Sequence, residues 1–266
     1  MATARKALKG IMLDISGTLH VNYTPTPGAV SALAQLRSTG VKVRFVTNST
    51  KLTDEKLYTK LMDMGFVLER AEVFSSLSAA KNLIKDRSYR PMLLLEDAAL
   101  GQFDDIDQSP PHNAVVVGLA PSKLDYAHMN QAFQALLSGA DLIGIHRAKY
   151  FASSNTQLSL GPGPFVAALE TASDCKAELV GKPAAAFYQL ALADMGLLAE
   201  PGSVAMVGDD VLADLGGGAQ ELGLQRFLVR TGKYRAGDEA KAHVPLDGVF
   251  STFAAAAQAV SQNAQS

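Results

Sequence analysis

Cysteine is almost missing from this chain. Cys175 is the single one among 266 residues, so no internal disulfide can form and the fold must rest on its core. The same scarcity points to a reducing compartment, read here as cytoplasmic. Cationic excess is missing too: 24 Lys and Arg stand against 26 Asp and Glu, a formal net charge of -2. That leaves no basic face for nucleic acid and no polybasic patch for a membrane surface. No apolar run approaches the roughly 18 residues that a membrane span needs. Residues 1–9 read as too short and too polar for a signal peptide. Internal repeats and low-complexity segments are also missing. Tryptophan is absent, which decides nothing.

What the chain has is apolar bulk. Its hydrophobic fraction is 48%, enough for a sizeable core in one large or two modest domains. The first organised stretch is Gly10-Ile11-Met12-Leu13-Asp14-Ile15-Ser16-Gly17-Thr18. Its apolar run is too short for a helix and reads as a buried parallel strand closed by Asp14. Pro27-Gly28 opens a helix with Ala29, Leu33 and Leu36 on one face, and Gly40 stops it. Val41 to Val46 is a second strand, ending in Thr47-Asn48-Ser49. Together these make a βαβ unit. A helix over 53–64, a short strand at Val73–Ser76 and a helix from Leu77 to Lys85 follow.

The pattern then restarts. Strands are expected at 91–95, 113–119 and 142–145, with helices from about Tyr126 to Leu137 and from Phe165 to about Thr171. The earlier style returns with a short strand that leads into Gly181-Lys182-Pro183. Ser203 to Gly208 is another buried strand, ending at Asp209-Asp210, with Asp214 about one helical turn further. Gln225 to Val229 is a strand, Phe250 to Val260 a closing helix, and 261–266 a fraying end. The fold class expected is α/β: a doubly wound, Rossmann-like parallel sheet formed by 1–88 and 176–266, with an inserted α/β cap over 89–175.

In such a sheet, ligands bind outside the carboxyl ends of the strands. Asp14, Thr47-Asn48, Lys182 and Asp209-Asp210 all follow apolar strands. Each has a plainer account when taken alone. Asp14 and Thr47-Asn48 suit turns, Lys182 a solvated surface, and Asp209, Asp210 and Asp214 helix caps. Jointly they suit phosphoryl transfer. Asp14 can attack phosphorus. Mg²⁺ takes hard oxygen ligands, and Asp14 and Asp209 supply two. Thr47, Asn48, Ser49 and backbone N–H groups near Gly17 can hold phosphate oxygens, and Lys182 can neutralise their charge.

These segments resemble the four motifs of the haloacid dehalogenase superfamily. Asp14-Ile15-Ser16-Gly17-Thr18 is similar to the first and Val46-Thr47-Asn48 to the second. Gly181-Lys182-Pro183 is similar to the third, and Gly208-Asp209-Asp210 with Asp214 to the fourth. The resemblance implies Mg²⁺ held by Asp14, the Ser16 carbonyl and Asp209, with Asp210 and Asp214 behind them. It implies a cap whose segment around His146 to Tyr150 selects a small phosphorylated substrate, His146 and Lys149 meeting an anionic group. It also implies a possible homodimer through that cap. One position departs from the pattern. Phosphatases of the superfamily usually carry a second aspartate two residues after the nucleophile, and here that residue is Ser16. A hydroxyl is a poor general acid or base, and such help is typically worth about 10²–10⁴-fold. Substrates whose leaving group needs no proton are therefore expected: pyrophosphate, acyl phosphate, phosphoramidate or aryl phosphate. The competing readings are a relative that binds Mg²⁺ and a phosphorylated ligand without turnover, and a receiver domain, which the insert and the late Asp209 oppose.

Overall fold

A computed structural model describes residues 6–152 and 158–264. In chain order, the first third holds β1 (Gly10–Asp14), β2 (His20–Val21), β3 (Thr24–Pro25), α1 (Ala29–Ser38), β4 (Lys42–Thr47), α2 (Asp54–Asp63), β5 (Val73–Ser75) and α3 (Ser76–Asp86). Then come β6 (Pro91–Leu94), α4 (Asp97–Leu100), β7 (Ala114–Val117), α5 (Tyr126–Leu137), β8 (Asp141–Gly144), β9 (Tyr150–Ala152), β10 (Leu158–Leu160), α6 (Gly163–Ser173) and β11 (Glu178–Leu179). The last third holds α7 (Ala185–Asp194), β12 (Val204–Gly208), α8 (Gly217–Glu221), β13 (Gln225–Val229), β14 (Gly248–Phe250) and α9 (Phe253–Ala264).

The chain forms two compact units. The first comprises 1–47, 57–74 and 182–266, and the second 48–56 and 75–181. The six-stranded sheet has the order β14-β13-β12-β1-β4-β5. Every pairing from β4 across to β14 is parallel, with β1 between β4 and β12. Parallel strands covered on both faces need continuous apolar runs, and β1 and β12 are buried along their whole length. Ile11, Leu13, Phe45, Val207 and Phe227 share one core with Leu33 and Leu36 of α1 and Phe253 and Val260 of α9. Each such fully buried side chain contributes about 1.5–3 kcal/mol. The buried charge inside β4, Arg44, is partnered at both terminal nitrogens, pairing with Asp194 at 2.7 Å and donating to the Ala71 carbonyl, while its Nε has no partner among the described residues.

The second unit carries a four-stranded parallel sheet, order β11-β8-β7-β6. Val115, Val117, Leu142, Leu136 and Val166 form its core.

Three details differ from the sequence reading. The strand before Lys182, expected in the first sheet, pairs with β8 in the second. Its two residues carry no periodicity from which a partner could be read. The closing helix starts at Phe253, because Gly248–Phe250 adds β14 to the edge of the first sheet, and it continues to Ala264. Residues 265–266 of the expected fraying end lie outside the described residues. In α5, whose period groups Met129, Phe133, Leu136 and Leu137, the first three pack on the core together with Ala132, whereas Leu137 is 58% exposed. Among the described residues no helix is long and apolar enough to cross a membrane.

Candidate active site

Asp14 is the last residue of β1 and Asp209 the first after β12. Because these strands are neighbours in parallel register, both carboxylates leave the sheet at the same end. Asp14 and Asp209 are 6% and 1% exposed. Asp214 reaches the same place by a tight turn in which its N–H donates to the Asp210 carbonyl at 2.9 Å. One oxygen of each of Asp14, Asp209 and Asp214 lies within 4.8 Å of the others.

A single buried ammonium enters this cluster. Lys182 Nζ donates to Asp14 Oδ1 at 2.6 Å, lies 2.7 Å from Asp214 Oδ1 and donates to the Val46 carbonyl at 3.4 Å. Thr18 Oγ1 donates to Asp14 Oδ2 at 3.2 Å. Asp214 is held from behind: its Oδ2 accepts the Asp210 N–H at 3.1 Å and its carbonyl accepts the Tyr188 hydroxyl at 2.7 Å.

Three buried carboxylates face one buried ammonium and the more exposed ammonium of Lys233, so negative charge remains in excess. Burial, and next the charge of Asp214, push Asp14 up to about 6 against the pull of Lys182. Burial and the charges of Asp14 and Asp214 hold Asp209 well above the usual carboxylate range. For Lys182, burial favours the neutral amine, but Asp14 and Asp214 outweigh it and its pKa rises. Hard oxygen donors that repel one another in a dry site suit a divalent cation, which would relieve both pushes.

The other expected residues fall as follows. Thr47 is buried at the end of β4. Ser16 is exposed just beyond β1. Asp210 acts as a turn cap, its Oδ1 accepting the N–H groups of Leu212 and Ala213 at 3.1 and 3.0 Å. The Gly17 N–H, expected to face phosphate, instead donates to the His20 carbonyl at 2.7 Å, because the chain turns back there into β2. Asn48, Ser49, His146 and Lys149 belong to the second unit. There His146 Nδ1 accepts the Ala148 N–H at 3.2 Å, and the Lys149 and Ala148 carbonyls accept N–H groups of Gly161 and Gly163 at 2.9 and 3.0 Å. Arg147 pairs with Glu170. The 146–150 segment is thus pinned, with the Lys149 side chain exposed.

The loop after β13 also joins the site. The Lys233 N–H donates to Asp209 Oδ2 at 2.5 Å, and Thr231 Oγ1 donates to the Gly17 carbonyl at 2.5 Å. Gly17 and Gly232 have φ of 99° and 59°, and a Cβ on either would lie 2.0 Å from Asp209 Oδ2.

Comparison with known proteins agrees with this geometry. A haloacid dehalogenase-like hydrolase model matches residues 11–106, and a HAD-hydrolase-like model matches 179–256. Haloacid dehalogenase-like hydrolase domain-containing protein 2 of Bos taurus is 51% identical over 241 residues, covering 91% of each chain. Phospholysine phosphohistidine inorganic pyrophosphate phosphatase of Homo sapiens is 38% identical over 263 residues, covering 97% of this chain and 96% of that one. The p-nitrophenyl phosphatase of Archaeoglobus fulgidus superposes with a TM-score of 0.87 at 23% identity, over 96% of this chain and all of the other. The matched segments hold every residue of the acidic cluster, and the relatives align along nearly their full length: the chain belongs to the haloacid dehalogenase-like hydrolase family.

Proposed function

We propose that the protein is a Mg²⁺-dependent phosphatase in which Asp14 is the nucleophile. The observation that carries this is the buried cluster of Asp14, Asp209 and Asp214, with the Lys182 ammonium paired to Asp14 and Asp214. Asp14, Asp209 and the Ser16 carbonyl would hold Mg²⁺, which supplies positive charge to the phosphoryl oxygens and screens them from the attacking carboxylate. Lys182 and Thr18 orient Asp14. An Asp14 oxygen forms a bond to phosphorus as the bond from phosphorus to the leaving group breaks, giving an aspartyl phosphate. Water then attacks that phosphorus and regenerates the carboxylate. Thr47, with Asn48 and Ser49 after it, is proposed to hold the transferred group. His146 and Lys149 are proposed to read an anionic part of the substrate.

Ser16 sets the substrate class. Lacking a carboxylic acid there, the site expels leaving groups that need no proton from the protein, as pyrophosphate does directly and as a phosphoramidate does once water has protonated its nitrogen. A relative named for phospholysine, phosphohistidine and pyrophosphate supports that range. The scarcity of cysteine supports a reducing, cytoplasmic setting. Ser16 also favours a second reading, binding of Mg²⁺ and a phosphorylated ligand without turnover. Phosphate release separates the two. With Mg²⁺, the purified protein should hydrolyse pyrophosphate, a phosphoramidate and p-nitrophenyl phosphate well ahead of alkyl phosphates, and Asp14→Asn should lower each rate by at least about 10³-fold. Equal release by wild type and Asp14→Asn would sink the phosphatase reading.

A further inference from the structure

The Thr231–Lys233 loop has a role in the site that its sequence does not announce. Asp209 is the first residue past β12, and a carboxylate at a strand end is free to swing unless something holds one of its oxygens. Here Oδ2 is enclosed. It accepts the Lys233 N–H at 2.5 Å, and the backbones of Gly17 and Gly232 approach so closely that a Cβ on either would overlap it at 2.0 Å. The loop is tied in turn to the segment after β1, because Thr231 Oγ1 donates to the Gly17 carbonyl at 2.5 Å. Two glycines with positive φ, one N–H and one hydroxyl therefore converge on the junction between Asp209 and the turn that follows Asp14.

We propose that Thr231, Gly232 and the Lys233 amide are positioning residues for divalent cation binding. They fix Asp209 Oδ2 and leave the other carboxylate oxygen for the ion. This rests on the metal-binding part of the proposed function and adds three residues to it. Charge supports the assignment: Asp209 is buried beside Asp14 and Asp214, and an immobilised carboxylate in that company gains most from a cation. Partners that orient a ligand without touching the metal typically change affinity about 10–100-fold when removed.

The test uses the full chain and Mg²⁺ alone, with no substrate. Binding is measured by isothermal titration calorimetry, and thermal unfolding is followed with and without Mg²⁺. Gly232→Ala should weaken Mg²⁺ binding by on the order of 100-fold, Thr231→Val by about tenfold, and Thr231→Ser, which keeps the hydroxyl, by no more than about twofold. Should Gly232→Ala fail to fold, the Thr231 pair still decides. A merely structural loop would lower the metal-free melting temperature and leave the Mg²⁺-induced rise unchanged, and that result overturns the proposal. A wild-type chain that shows no Mg²⁺ response overturns it as well. Binding in the expected order without phosphate release would remove the phosphatase reading and leave this inference standing.

Discussion

The two units use the same construction, a parallel sheet flanked by helices, and finish their strands in opposite ways. In the first, β1 ends in Asp14 and β12 is followed by Asp209, both buried, and Asp14 is paired with Lys182. In the second, β6 is followed by buried Leu95 and β8 by buried Ile145, and β7 is followed by Gly118, whose added Cβ would lie 2.6 Å from Leu95 and 3.4 Å from Ile145 and Thr50. One strand-end layer is a cluster of uncompensated charge and the other is filled with side chains. The architecture is shared, and what differs is the set of residues at the carboxyl ends, where ligands of such sheets bind.

That contrast can be broken from either side. The largest effect expected is at the buried ammonium. Lys182→Met leaves Asp14 and Asp214 facing each other unpaired, and should destabilise the metal-free protein by about 3–5 kcal/mol in urea unfolding at neutral pH. Part of that loss should return at pH 5 as the carboxyls take up protons. In the second unit, Gly118→Val forces a branched side chain against Leu95 and should cost about 1–3 kcal/mol in the same measurement, through crowding alone and with no dependence on pH.

A pH titration sharpens the difference further. Asp14 is raised from 3.8 to about 6, so between those values the folded chain holds a proton that the unfolded chain has lost. Stability of the metal-free protein should therefore fall as pH rises from about 4 to 6 and stay lower above, by on the order of 3 kcal/mol from this group, with Asp209 adding in the same direction. Asp14→Asn should flatten the slope, and saturating Mg²⁺ should oppose it. The smallest effect belongs to the surface of the second unit. Arg87 and Glu178 are 2.7 Å apart with both side chains 45% exposed, and Arg87→Met should change stability by less than about 1 kcal/mol, an effect screened by salt.

The strand-end aspartates were legible because a charged residue that closes an apolar run is anomalous in a buried strand. Lys182 was legible only through the residues around it, and its strand was given to the wrong sheet, since Glu178–Leu179 is too short to show a period. The hold on Asp209 was illegible for a different reason. Its donor is the Lys233 backbone N–H, which nearly every residue type provides, and its fit depends on a positive φ at Gly232 that composition does not reveal. Gly17 shows the same limit: backbone N–H groups near it are expected at phosphate, while its own amide donates to the His20 carbonyl and its place beside Asp209 leaves no room for a Cβ.

The register of β1 also governs how the molecule is made. Gly10 to Leu13 pair on one side with Lys42 to Phe45, which leave the ribosome soon after them, and on the other with Val204 to Val207, which leave it after the whole second unit. At about 5–20 residues per second, β1 waits on the order of 10–40 s with its second edge open. An unpaired parallel edge is a template for wrong partners. Throughout that interval Asp14 stands at the end of the strand before Lys182 and Asp209 have been synthesised. The acidic cluster is therefore among the last parts of the first unit to assemble, and the nascent chain is most exposed to misassociation along the strand that carries Asp14.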